Sequence, residues 1–277
     1  MRDSGCFKVF TKPGLTTSTL LVAWNQDVGK VGTKVADYLN RKLGCQEFAE
    51  IEPLGFFPLS GVSVEDDIAQ FPESKFYYSQ EKALVVFKSD IPPSEWYRFL
   101  RSILDIAEHY CAVEELYIVG GMVSPGAHTT PRALLSVTNS PQIKEMLGQY
   151  GLVTNMHYET PDGQRPTLSS FLLWVAKKRG ISGASLWVPV PFYLTGVEDP
   201  RAWKKVIQFF DTRLALGLDL TDLDDEIARQ SAKIAQMRSK LPELDSYISR
   251  LESNLSLTAE ESEKLAKEVE EFLKKTY

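Results

Sequence analysis

From about residue 19 the chain alternates short unbroken apolar runs with longer stretches in which apolar residues recur every three or four positions. "TLLVAW" (19–24) is continuous rather than alternating, the pattern of a strand covered on both faces. Val28, Val31, Val35 and Leu39 then recur at helical spacing, with Asp27 as the expected N-cap and Gly44 closing the run after Leu43. "QEFAEIEP" reads as a second strand, residues 54–80 are irregular apart from a short strand at "FYYS", and "ALVVFKSD" is the next buried strand. "PPSEWYRFLRSILDIAEHY" predicts a helix entered through proline, with Trp96, Phe99, Leu100, Ile103 and Ile106 on one face. "ELYIVGG" is a strand, "GGMVSPGAHTTPR" a loop by its glycine and proline content, and "ALLSVT" with "SPQIKEMLGQYG" a strand and short helix. "PTLSSFLLWVAKKRG" is a helix stopped by Gly180, "ASLWVPV" a strand, and "DPRAWKKVIQFFDTRLALG" a helix with Pro200 in its first turn. Strands alternating with helices predict an α/β fold with a mostly parallel central sheet.

After Gly217 the pattern changes. Leu223, Ile227, Gln230, Ile234, Met237, Leu241, Leu244, Ile248, Leu251 and Leu255 follow alternating spacings of four and three, a heptad seam broken only by Gln230. Pro242 lacks an amide donor and crowds the preceding turn, so two helices, or one sharply kinked helix, are expected to meet near Leu241. "TAEE" supplies a capping box from Thr258 to Glu261 for a last helix through Leu265, Val269 and Phe272. The reading is therefore an α/β domain over residues 1–217 and a helical arm or hairpin over 218–277. Such a narrow seam does not hold a helix alone, so Leu223, Ile227, Ile234, Met237, Leu241, Leu244, Ile248 and Leu251 are expected to pack on the body or between subunits, with oligomer formation favoured.

Composition narrows the class. With 43% hydrophobic and 25% charged residues, the 277-residue chain matches ordinary globular usage. A net charge of −6 gives no basic stripe for a phosphate backbone, so nucleic acid is not an expected partner. Cys6, Cys45 and Cys111 lie far apart with no paired spacing, against a structural zinc site or a disulfide framework. The beginning of the chain lacks a signal-peptide pattern, and no apolar run approaches the roughly 20 residues that span a bilayer, so a cytoplasmic protein without a membrane partner is expected.

Candidate chemistry gathers at two places. Asp27, Gly29 and Gly32 follow a strand end, where helix amides of an open α/β sheet often meet an anion. Neither a three-glycine dinucleotide fingerprint nor a Gly-Lys-Ser/Thr phosphate loop is complete there, and a carboxylate at the mouth repels phosphate, so a tight structural turn is the favoured reading. Gly120 and Gly121 open the second loop, in which His128 and Arg132 are candidates for anion contact or proton transfer. His157 and Glu159 lack a third metal ligand, and Ser4, Ser124 and Ser185 lack a nucleophile's setting. No cofactor or metal is expected.

"LLVAWNQDVGKVGTKVADYL", "FAEIEP", "ALVVFKSDIPPSEWYRF", "LYIVGG" through "TTPR", "SLWVPVPFY" and "DPRAWKKVIQFF", taken in order over residues 15–215, resemble the proteasome assembly chaperone family in its bacterial and archaeal branch. Asp27, Gly29 and Gly32 match its first glycine turn, and Gly120 and Gly121 its second. The resemblance implies a nucleoside-phosphorylase-like α/β sandwich, self-association, and binding of other proteins in place of established catalysis. Ring-docking members end in a hydrophobic residue, tyrosine and any residue, whereas this chain ends Lys275, Thr276, Tyr277, so docking by the tail is not expected. The rival reading is an enzyme on a phosphorylase-like fold, a nucleoside or nucleotide phosphorylase or hydrolase, or an ATP-grasp-related ligase, with an anion pocket between the two glycine loops.

Overall fold

In the computed structural model, residues 6–57 and 62–274 are described; Ser4 and the terminal Lys275, Thr276 and Tyr277 lie outside them. Ten strands and eight α-helices follow in the order β1 (Phe7–Val9), β2 (Ser18–Trp24), α1 (Val31–Lys42), β3 (Gln46–Ile51), β4 (Ser63–Glu65), β5 (Ile68–Gln70), β6 (Ser74–Ser79), β7 (Leu84–Ser89), α2 (Trp96–Cys111), β8 (Val113–Ser124), β9 (Leu135–Thr138), α3 (Pro141–Gly148), α4 (Leu168–Lys178), β10 (Ser182–Pro191), α5 (Pro200–Leu214), α6 (Thr221–Lys240), α7 (Pro242–Glu252) and α8 (Ala259–Lys274). Eight strands form one mixed sheet in the order β1-β3-β6-β7-β2-β8-β10-β9, and β4 and β5 pair as a separate antiparallel ribbon. The centre is parallel: β2 runs alongside β7, with Leu21 opposite Val86, and alongside β8, with Leu21 opposite Tyr117. The β1-β3-β6-β7 flank is antiparallel.

The continuous apolar strands are buried on both faces, as their composition predicts. Leu20, Val22 and Trp24 of β2 alternate with Leu21 and Ala23, and all five are buried. The first set joins Phe48, Phe76, Phe87, Phe99, Ile103, Leu172 and Leu173 in one core beneath α2 and α4. Phe76 and Phe87 lie 4.4 Å apart, and the Trp24 indole donates to Ser169 Oγ at 3.0 Å, tying the sheet to α4. On the other face a Cβ at Gly32 would lie 2.7 Å from Val119 O and 3.5 Å from Ala23 Cα, so the first turn of α1 rests directly on β2 and β8. Glycine is required there by the closeness of the backbones.

Three boundaries differ from the sequence reading. The helix after Asp27 begins at Val31, because a 3-10 turn over Val28–Lys30 intervenes with Gly29 in left-handed conformation at φ 63°. α2 begins at Trp96 rather than at the prolines; Glu95 turns the chain in at φ 56°. Strand β8 does not end at Gly120 and Gly121 but runs on to Ser124, so the loop opens three residues later.

Two compact units divide the chain: residues 1–26, 32–119 and 135–186, and residues 27–31, 120–134 and 187–277. The second holds α5 together with the later helices, because α6 packs on α5 and α8 on a 3-10 turn at Phe192–Leu194. Among the described residues no helix is long and apolar enough to cross a membrane.

Candidate functional site

Asp27 and the two glycines of β8 meet, though not as an open cradle. The Gly121 N–H donates to Asp27 Oδ1 at 2.8 Å, while Asp27 makes no side-chain cap to the turn that follows it. The carboxylate expected to cap a helix is instead a clamp on a strand 94 residues further along. Glycine is needed at both positions for reasons of space: a Cβ at Gly121 would stand 2.3 Å from Val28 O, and one at Gly120 would stand 3.0 Å from Asp27 Oδ1 and 3.2 Å from the Trp187 ring. Gly29, also buried, would place a Cβ 3.2 Å from the Val190 side chain. The turn and the strand are thus packed against each other by protein atoms. The Gly121 amide already has an anionic acceptor in Asp27.

His128 is buried and the Arg132 side chain nearly so in the same unit, each with an internal partner. The Tyr193 hydroxyl oxygen accepts from the His128 backbone N–H at 2.6 Å and lies 2.8 Å from Nδ1. Either the hydroxyl or Nδ1 can supply the proton of that second bond, and in both cases it holds a neutral ring. Burial pushes the His128 pKa down to about 4, with Arg201, Arg238 and Arg132 adding to the effect against Glu252. Burial likewise raises the Tyr193 phenol.

Arg132 forms an ion pair with Asp199 at 2.9 Å, the two side chains being 6% and 0% exposed. Its guanidinium also donates to the carbonyls of Thr130 at 2.9 Å and Ala127 at 3.3 Å, fastening the loop onto itself. Asp199 in turn caps α5, accepting from the amides of Arg201 at 3.1 Å and Ala202 at 3.3 Å. A buried carboxylate with three donors is a settled structural group. Removing either partner would strand the other.

The helical seam is covered within this unit. Leu223, Ile234, Met237, Leu244, Ile248 and Leu251 are buried, Ile227 is half-buried, and Leu241 stands at the Pro242 corner, 36% exposed. Gln230, the polar break in the heptads, donates to Glu198 O. Arg238 bridges the corner, giving Nε to Asp245 at 2.6 Å and Nη1 to Glu252 at 2.9 Å. The capping box of α8 forms as read, Thr258 and Glu261 exchanging bonds of 2.8 and 3.2 Å, but Leu273 and not Phe272 completes the buried stripe with Leu265 and Val269.

Tyr193 and Asp199 were absent from the sequence reading. Asp199 had a visible signal, an acid directly before a proline that opens a helix. Tyr193 had none, because its role depends on a contact 65 residues away. His157 and Glu159 are exposed, and among the described residues no group of three His, Cys, Asp or Glu side chains is placed to share a metal ion.

A mixed eight-stranded sheet with a carboxylate-clamped glycine strand and a helical C-terminal region defines an α/β protein. The chain belongs to the PAC2 family, whose model matches residues 20–238. A search of curated proteins finds no match. Among solved structures, the chain is similar in fold to the Pyrococcus furiosus archaeal proteasome activator PbaB (20% identity, 84% of this chain and 98% of that one, TM-score 0.68). It is also similar to the Mycobacterium tuberculosis unknown-function protein Rv2714 (20%, 91% and 91%, 0.75) and to the proteasome-assembly chaperone homologue Rv2125 of the same organism (18%, 83% and 99%, 0.70).

Proposed function

We propose that the protein is a non-catalytic, protein-binding module of the assembly-factor kind, working as a cytoplasmic homo-oligomer. The observation that carries this reading is the state of the candidate pocket. Gly121 N–H is held by Asp27, His128 is neutral against Tyr193, and Arg132 is paired with buried Asp199, so the groups that an enzyme would present to an anion are engaged inside the fold. Membership of the PAC2 family, and relatives described as a proteasome activator and a proteasome-assembly chaperone homologue, point to protein clients. The net charge of −6 favours neither nucleic acid nor an anionic membrane as partner.

The test is sedimentation with purified archaeal and actinobacterial proteasome core particles, alongside a thermal-shift panel of phosphate, adenosine and ATP at millimolar concentration. Association with a core particle or its subunits is expected, with no shift from the panel. A ligand at about 100 times its Kd adds roughly 2.7 kcal/mol, a shift of several degrees. Such a shift without any association would establish the enzyme reading in its place.

A further inference from the structure

The outer faces of α2 and α4 carry an aromatic row, anchored to the core through Phe171. Tyr97 stacks on Phe171 with centroids 6.3 Å apart and planes 24° from parallel, and Phe171 lies 5.6 Å from Trp174. Tyr97 is 52% and Trp174 49% exposed, whereas Phe99, Leu100, Leu172 and Leu173 close the core beneath them. The helices run parallel: Tyr97 meets Phe171 near their starts, and Arg179, just past α4, pairs with Asp105 at 2.7 Å and Glu108 at 2.5 Å near the end of α2. At the start of the row is a hollow of about 470 Å³ whose walls include Trp96, Arg165, Pro166 and Phe171.

The border of this row is cationic on a chain that is anionic as a whole. The Arg101 guanidinium lies 5.9 Å over the Tyr97 ring and the Lys178 ammonium 5.7 Å over Trp174. Arg101, Arg165 and Lys178 have no carboxylate partner among the described residues, and the hollow's lining includes a single carboxylate, Glu95, which faces Arg98 at 4.0 Å. Tyrosine, tryptophan and arginine are the side chains that dominate protein-binding hot spots. From Leu168 to Lys178 the row follows about 15 Å of helix at roughly 1.5 Å per residue, which about five residues of extended chain span at roughly 3.3 Å each.

We infer that this row docks an extended acidic segment of a partner protein, seating an apolar or aromatic side chain in the hollow and its carboxylates against Arg101, Arg165 and Lys178. The inference rests on the reading of the chain as a protein-binding module and names the chemistry of what it binds. Carboxylates are favoured over a nucleic-acid backbone because a net charge of −6 repels a long polyanion while leaving a short acidic segment within reach of the local cations.

The experiment is fluorescence anisotropy with a labelled peptide, Glu-Asp-Phe-Glu-Glu-Leu-Asp-Glu, against two controls: one with every acid replaced by lysine, the other with phenylalanine and leucine replaced by serine. Saturable binding of the first peptide alone is expected, weakening about tenfold in Trp174→Ala, in the double variant Arg101→Glu/Lys178→Glu, and in 0.5 M salt. All three positions are exposed or half-buried, and circular dichroism checks that the variants are folded. The inference is overturned if the acidic peptide does not bind, if the lysine peptide binds equally, if the variants bind as the parent does, or if a twenty-nucleotide oligothymidylate binds more tightly. Core-particle association retained in both variants removes this surface while leaving the assembly-factor reading standing. Peptide binding without any core-particle association does the reverse.

Discussion

His128 shows how one buried side chain ties stability to pH. Its ordinary pKa of 6.5 falls to about 4 in the folded chain, because burial disfavours the cation and Arg201, Arg238 and Arg132 add to the effect. Above pH 6.5 the ring is neutral folded or unfolded, and the full benefit is present. Between pH 6.5 and 4 the unfolded chain takes up a proton that the folded chain refuses, so stability falls with falling pH, by up to about 3 kcal/mol, and levels off below 4. Urea titrations at pH 7, 5.5 and 4.5 should show this loss in the parent and its absence in His128→Gln. Equal pH dependence in the two proteins would mean that the ring is not buried as a neutral group. The sequence marked His128, Arg132, Asp27 and the glycines as special without showing their use. Glycine spacing reports that a backbone comes close, and an acid beside it reports a hydrogen bond, but neither says which distant strand supplies the other half. The Asp27–Gly121 bond joins residues 94 apart, and Tyr193 carries no local pattern at all.

At the scale of elements, period and punctuation were legible wherever burial is one-sided or complete. β2, β7, α2, α4 and α5 fall where their apolar spacing placed them, and Pro242 divides α6 from α7 as its missing amide requires. Short elements were not: β1 spans three residues, and the β4–β5 ribbon exposes Val64 and Ile68, so neither carries a burial pattern. β8 was ended at Gly121 because the glycine pair opens a stretch that reads as a loop, when the strand runs on to Ser124 and the glycines have no room for a Cβ. Helix α8 offers a direct test of the arm. Leu265, Val269 and Leu273 are buried, and α8 packs on the turn that holds Tyr193. Ending the chain after Leu255 removes about 5–9 kcal/mol of apolar burial, three side chains at roughly 1.5–3 kcal/mol each, which is comparable to the whole stability of an average domain. The truncated protein should be poorly soluble or bind a hydrophobic dye strongly. Full solubility with an unchanged urea midpoint would show that α8 is dispensable to the fold.

For the molecule as a whole, net charge and composition set the class of partner without revealing where one would bind, because the aromatic row is assembled from two helices some 70 residues apart in sequence. The structure also supplies a means of watching that surface. Cys111 is buried and its thiol is pushed up to about 12, and burial takes Cys45 up to about 11, so at pH 7.5 fewer than about one in a thousand of either thiol is in the reactive form. Cys6 differs in place: its sulfur accepts from the Arg98 guanidinium at 3.2 Å, and Arg98 contributes to the hollow beside Trp96 and Phe171. A maleimide dye should therefore label Cys6 ahead of the other two, a preference that intact-mass and peptide mass spectrometry would show directly. The unmutated chain then carries a single optical reporter at the rim of its own docking surface, able to signal the arrival of a partner whose identity need not be known beforehand.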